Sequence, residues 1–117
     1  MDLVANILVG VVAALHAYFL VLEMFLWTKP AGRGAFGTTR EFAEQSKSLA
    51  ANQGLYNGFL VAGLIWGLVD DDVEFTVFFL GCVIVAGLYG AATVNRRILF
   101  FQAVPGALAL GAVLLAR

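Results

Sequence analysis

Four long apolar stretches, at about Val4–Trp27, Leu49–Val69, Phe75–Val94 and Ile98–Ala116, take up most of this chain. Each is close to the ~20 apolar residues needed to cross a hydrocarbon layer about 30 Å thick. In lipid, every backbone N–H and C=O must be satisfied within the structure, which a helix does and an open sheet does not. The runs also lack the polar–apolar alternation of strands. The expected fold is therefore all-α: an integral membrane four-helix bundle forming one domain over residues 1–117. Soluble domains are typically about 45–50% apolar and about 25% charged, against 62% hydrophobic and 13% charged here. The mean hydropathy of +0.91 places the chain in the membrane class. Membrane lipid is then an obligatory partner. With few charges and no basic patch, the chain has no nucleic-acid footprint.

The connections follow from local chemistry. Thr28 to about Gly37 contains Pro30, Gly32, Gly34 and Gly37 and reads as a loop. Thr38 lies three residues before Glu41, the spacing of a capping box. The polar segment Thr39–Leu49 should extend the second helix into the cytoplasm from about residue 39. Asp70–Asp72 ends that helix, and Asn95-Arg96-Arg97 makes the last turn. The N-terminal Met-Asp-Leu-Val-Ala-Asn lacks the basic region of a signal peptide, so the first stretch is expected to be a retained helix. Lys29, Arg33, Arg40, Lys47, Arg96 and Arg97 fall on one side and only Arg117 on the other. Positive residues stay inside, which predicts a multi-pass protein of the cell (inner) membrane with both termini on the non-cytoplasmic side.

The polar residues within the spans gather at one depth. At a rise of 1.5 Å per residue, Glu23 lies about 6 Å below the interface marked by Trp27, and Asn52, Gln53, Tyr56 and Asn57 lie roughly 5–12 Å past Leu49. By the same measure Tyr89 and Thr93 sit about 4–10 Å from Arg96, and Gln102 about 7 Å beyond Arg97. His16 is deeper, about 16 Å from Trp27. Hydrocarbon penalises such groups singly, so a shared hollow in the cytoplasmic leaflet is expected. Gly54 and Gly58, then Gly63 and Gly67, have the small-xxx-small spacing that lets helices approach closely, as do Ala103, Ala107 and Gly111.

Glu23 is the sharpest candidate. A carboxylate in a span can carry a proton, act as acid or base, or pair with a cation; it can also simply be bonded to an Asn or Tyr on a neighbouring helix. His16, two turns before it on one face, can relay protons because imidazole titrates near neutral pH, or can be a buried neutral ring. Asn52, Gln53, Tyr56 and Asn57 form the densest polar segment and read as a ligand-facing wall, with Tyr89 and Gln102 added from the other helices. Their plainer role is interhelical hydrogen bonding. Pro105 is expected to kink or loosen the fourth helix near Gln102. No metal site is expected, since one histidine and one carboxylate seven residues apart give too few ligands. Cys82, alone in an apolar run, reads as a packing residue. These residues identify no cofactor, and no nucleophile–base pair or phosphate loop is present.

The segments His16-Ala-Tyr-Phe-Leu-Val-Leu-Glu-Met-Phe-Leu-Trp27, Asn52-Gln-Gly-Leu-Tyr-Asn-Gly-Phe59, Gly87-Leu-Tyr-Gly90 and Gln102-Ala-Val-Pro105 resemble the small bacterial membrane proteins of domain-of-unknown-function family 1304. That resemblance covers nearly the whole chain and implies no particular activity. The architecture is also similar to the membrane-associated proteins in eicosanoid and glutathione metabolism, which have four helices and a cytosolic first loop and form trimers with sites between subunits. Asn52 and Tyr56 match part of that family's second-helix pattern, but its arginine falls on Ser48 and its glutamate on Leu55. This resemblance therefore implies architecture and a cytosol-facing site, and no glutathione chemistry.

The functional reading is a membrane-embedded enzyme or binding protein for a lipophilic small molecule. Glu23 would be its acid/base, aided by His16, and Asn52, Gln53, Tyr56, Asn57, Tyr89 and Gln102 its ligand-orienting groups. The alternatives are a small proton-coupled exporter and a structural accessory subunit. The scarcity of polar surface predicts a homo-oligomer.

Overall fold

The computed structural model describes all 117 residues, and every regular element is helical. The helices are α1 (Leu3–Met24), α2 (Pro30–Phe36), α3 (Arg40–Val69), α4 (Val73–Thr93) and α5 (Val104–Leu115), with a π-helical turn at Leu99–Ala103 leading into α5. Helices α1 and α4 are long and apolar enough to cross a membrane, and Leu99–Leu115 is a shorter apolar stretch. The chain divides into two compact units: Met1–Leu15 with Leu60–Arg117, and His16–Phe59.

In the larger unit the core is built from residues recurring at helical spacing. Ala5, Val9 and Val12 of α1 join Leu64 of α3, Leu80 and Val83 of α4, and Ala109 and Val113 of α5. All of these are essentially inaccessible. Close approach depends on missing side chains. A Cβ on Gly63 would collide with the Phe79 ring, and one on Gly67 with the Thr76 hydroxyl. On Gly87 it would lie 2.6 Å from the backbone N of Ala103. The turn between α3 and α4 places Asp71 at φ 49°. Asp72 then caps α4, its carboxylate accepting from the Phe75 N–H at 3.0 Å.

Pro105 has no N–H to donate, and the ladder just before it widens. The Val104 N–H bonds to the Leu99 carbonyl, five residues back, and Gln102 sits within this π turn. The small-residue contact predicted at Ala103, Ala107 and Gly111 takes a different face. Ala103, Gly106, Ala109 and Val113 are buried, while Ala107 is exposed. The reason is Gly106, whose Cβ would lie 2.9 Å from Val83 Cγ1, so the closest approach is fixed there. Nothing comes within 4 Å of a Cβ on Gly111.

The smaller unit contains the end of α1, α2 and the first part of α3. Two readings of this segment need correction. The stretch read as a loop from Thr28 to Gly37 contains α2, because the residues that break a helix internally also start and stop one. Pro30 occupies the first turn, where no N–H is needed, and Gly37 ends the helix in the left-handed region at φ 67°. The cap of α3 is Thr39 in place of Thr38: its hydroxyl accepts from the Phe42 N–H at 3.1 Å. The Thr38 hydroxyl is buried without a partner.

Candidate functional site

Within the smaller unit, the face of α3 that carries Ala43, Ala50, Gly54 and Asn57 is buried. These positions recur at intervals of seven, four and three residues, one stripe of a helix. Glycine sets how near this stripe comes to α1. A Cβ on Gly54 would lie 2.5 Å from Met24 Cγ, 3.2 Å from Glu23 Cβ and 3.3 Å from the Leu20 carbonyl oxygen; one on Gly58 would lie 3.1 Å from Leu20 Cδ1. That closeness allows a short side chain on α3 to reach a carboxylate on α1. Asn57 Nδ2 donates to Glu23 Oε1 at 2.5 Å, with the two residues 7% and 9% exposed.

An open cleft of about 260 Å³ lies between the C-terminal end of α1 and the N-terminal half of α3. Its walls are Glu23, Met24, Phe25, Trp27 and Thr28 on one side and Lys47, Ser48 and Ala51 on the other. Trp27 is held in place: its indole Nε1–H donates to Ser46 Oγ at 3.0 Å, and its ring lies 5.0 Å from that of Phe36. The Ser46 hydroxyl in turn donates to the Phe42 carbonyl at 2.7 Å. Arg33 Nε donates to the Thr28 carbonyl at 3.2 Å, tying α2 to the start of the connection. Lys47 has only a loose, exposed partner, Glu44, at 3.5 Å.

The residues singled out in the sequence distribute unevenly. Glu23 and Asn57 meet. His16 is fully buried, its ring edge-on to Phe19 at 5.3 Å between centroids. Seven residues along the helix put it about 10 Å from Glu23, too far for a direct hydrogen bond. Asn52, Gln53 and Tyr56 are exposed. Asn52 Nδ2 donates to Tyr56 Oη at 3.1 Å along their shared ridge. At 3.6 residues per turn, Asn52 points about 140° away from Asn57, so one short segment serves two faces. Tyr89 and Gln102 belong to the larger unit, Tyr89 on the outside of α4 at 71% exposure and Gln102 half-buried in the π turn. Sequence reasoning missed Thr28, Lys47 and Ser48, having assigned them to a loop and a solvated extension. The available signal was their register, since Lys47, Ala51, Gly54 and Gly58 share one side of α3. No group of three or more His, Cys, Asp or Glu side chains converges to hold a metal ion.

Chemically, the cleft combines a carboxyl group anchored at one oxygen, an ammonium, two hydroxyls and an apolar, aromatic wall. It can take a molecule with a polar end and a hydrophobic body, and the carboxyl can hold or exchange a proton there. Residues 10–114 match the family described as protein of unknown function (DUF1304). The uncharacterized protein YpaA of Lactococcus lactis subsp. lactis (strain IL1403) is 31% identical over 106 residues, covering 87% of this chain and 89% of YpaA. No solved structure matches the chain. A match extending from the first third of α1 to the end of α5 makes this chain a member of the DUF1304 family.

Proposed function

We propose that this is a multi-pass protein of the cell membrane, a four-helix bundle with both termini outside. It binds or chemically transforms a lipophilic small molecule in a pocket opening toward the cytoplasmic leaflet. The observation that carries this reading is the buried Glu23–Asn57 hydrogen bond, whose glutamate also lines an open cleft with mixed polar and aromatic walls. A carboxyl group taken out of water is costly unless it is bonded, and its placement beside a cleft gives a ligand access to it. The bond to Asn57 leaves the second carboxyl oxygen as the group for proton exchange or for pairing with a ligand donor. Membrane residence is supported by the surface of α1 and α4, where Leu3, Val4, Ile7, Phe78, Val85 and Leu88 are all exposed. Those side chains gain from lipid contact what they would lose in water.

The chain acts as a homo-oligomer in this reading. Asn52, Gln53 and Tyr56 are exposed, on the part of α3 that this reading puts at lipid depth. A second copy covering them satisfies groups that acyl chains cannot.

A structural role is the second reading, favoured by the same bond, because a carboxyl–amide pair also joins α1 to α3. The two are separated by Glu23→Gln. The amide retains a hydrogen bond to Asn57, so the variant inserts and folds. Under the proposed function it loses a lipophilic molecule that co-purifies with the wild-type chain, read by native mass spectrometry. A variant that fails to insert, or that keeps the same bound molecules, speaks for the structural role.

A further inference from the structure

A carboxyl group and an ammonium, Glu23 and Lys47, line the cleft without meeting each other. Glu23 is bonded to Asn57 and Lys47 is paired loosely with Glu44, so neither makes an ion pair across the space they share. The Lys47–Glu44 contact is an exposed pair three residues apart on one helix, which solvent screens and a ligand readily displaces. Both hydroxyls among the lining residues, Thr28 and Ser48, sit at the same mouth, while Met24, Phe25, Trp27 and Ala51 complete the wall. A neutral head group would leave the ammonium without a counter-charge. A purely anionic one would leave the carboxyl without a donor, and a purely cationic one would sit beside Lys47.

We infer that the pocket recognises a zwitterionic amphiphile, a single-tailed molecule whose head carries both an ammonium and an anionic group. The ammonium pairs with the free oxygen of Glu23, the anion with Lys47 and the hydroxyls of Ser48 and Thr28, and the tail lies along Met24, Phe25 and Trp27. This deepens the proposed function and rests on it. Complementary charge placed at both ends favours the right head group and repels the wrong one, so selectivity comes from mismatched charges as well as matched ones. Charge-assisted hydrogen bonds separate such ligands by roughly tenfold or more.

The test uses the full chain in detergent micelles and four probes with one dodecyl tail: a phosphoethanolamine, a phosphate, a primary amine and a glycerol ether. Tail-less phosphoethanolamine serves as a fifth. Binding is read by native mass spectrometry or by quenching of tryptophan fluorescence. The wild-type chain should bind the zwitterion at least tenfold more tightly than any of the others. Glu23→Gln should reduce the zwitterion to the level of the alkyl phosphate, and Lys47→Gln to the level of the alkyl amine. Lys47 is an exposed surface residue, so that variant keeps the test open if the Glu23 variant does not fold. Equal binding of the glycerol ether and the zwitterion, or a Lys47→Gln variant with unchanged preference, overturns the inference and leaves the lipophilic-ligand reading standing. Tail-less head group bound as well as the amphiphile overturns the amphiphile assignment, and no binding of any tailed probe by the folded chain overturns both readings.

Discussion

Replacing Gly54 by alanine tests whether the approach of α1 and α3 is what builds the site. The added Cβ would lie 2.5 Å from Met24 Cγ, 3.2 Å from Glu23 Cβ and 3.3 Å from the Leu20 carbonyl oxygen. Carbon atoms rest about 3.5–4.0 Å apart, so the first contact needs about 1 Å or more of relief. Met24 can swing away, but the Leu20 carbonyl belongs to the backbone of α1 and moves only with the helix. If the helices separate by half that amount, the Glu23–Asn57 bond lengthens from 2.5 Å to about 3.0 Å and survives; only the full ~1 Å carries it to about 3.5 Å, the limit of a useful hydrogen bond. Overpacking costs about 1–3 kcal/mol, and an interhelical hydrogen bond in a membrane adds about 0.6–1.7 kcal/mol. Partly offsetting this, alanine is the better helix former by about 0.5–1 kcal/mol. The net expectation is a loss of roughly 1–3 kcal/mol, measured by SDS-driven unfolding of the purified chain in mixed micelles followed by circular dichroism. Gly111→Ala is the control, because nothing lies within 4 Å of its Cβ, and it should be neutral or slightly stabilising. A Gly54→Ala chain as stable as the control would refute the claim that this contact is tight.

Two further substitutions follow from the geometry. Removing either member of the Glu23–Asn57 pair by Glu23→Leu or Asn57→Leu leaves its partner buried and unsatisfied, costing about 1–3 kcal/mol each; the double variant should cost less than their sum, and additivity within about 0.5 kcal/mol in the same unfolding assay would mean that the groups do not interact. Thr39→Ala removes the cap of α3 and should cost about 1 kcal/mol, whereas Thr38→Val removes an unpartnered hydroxyl and should cost nothing; the reverse order would return the cap to Thr38.

Much of the helix content was legible because long, continuous apolar runs without polar alternation favour helices over strands. What escaped the sequence were features decided by one residue. Pro30 and Gly37 bound a helix as readily as they make a loop, and composition alone does not distinguish the two. Neighbouring threonines compete for one cap, and the winner is set by where the chain enters α3. On α5 the contact face follows Gly106, because its missing Cβ is needed against Val83, and the Ala103–Ala107–Gly111 spacing carried no information about that neighbour. In the site, Glu23 and Asn57 stood out because a carboxyl and an amide in apolar runs demand partners. Lys47 and Ser48 did not, because a lysine and a serine in a polar segment have a sufficient explanation in solvent. Asn52 and Asn57 looked like one wall in the linear sequence, while helical rotation sends them to different faces.

The pairing of Glu23 with Asn57 is the claim on which the proposed pocket, proton chemistry and ligand all rest. Solid-state NMR of the chain in lipid bilayers, with 13C on the glutamate carboxyl groups and 15N on the asparagine side chains, reads that contact directly through dipolar recoupling. A 2.5 Å separation of Nδ2 and Oε1 brings the labelled carboxyl carbon within recoupling range of Nδ2 and requires a measurable coupling that disappears in the Asn57→Leu chain. A wild-type chain with no such coupling, folded and in bilayers, would contradict the account.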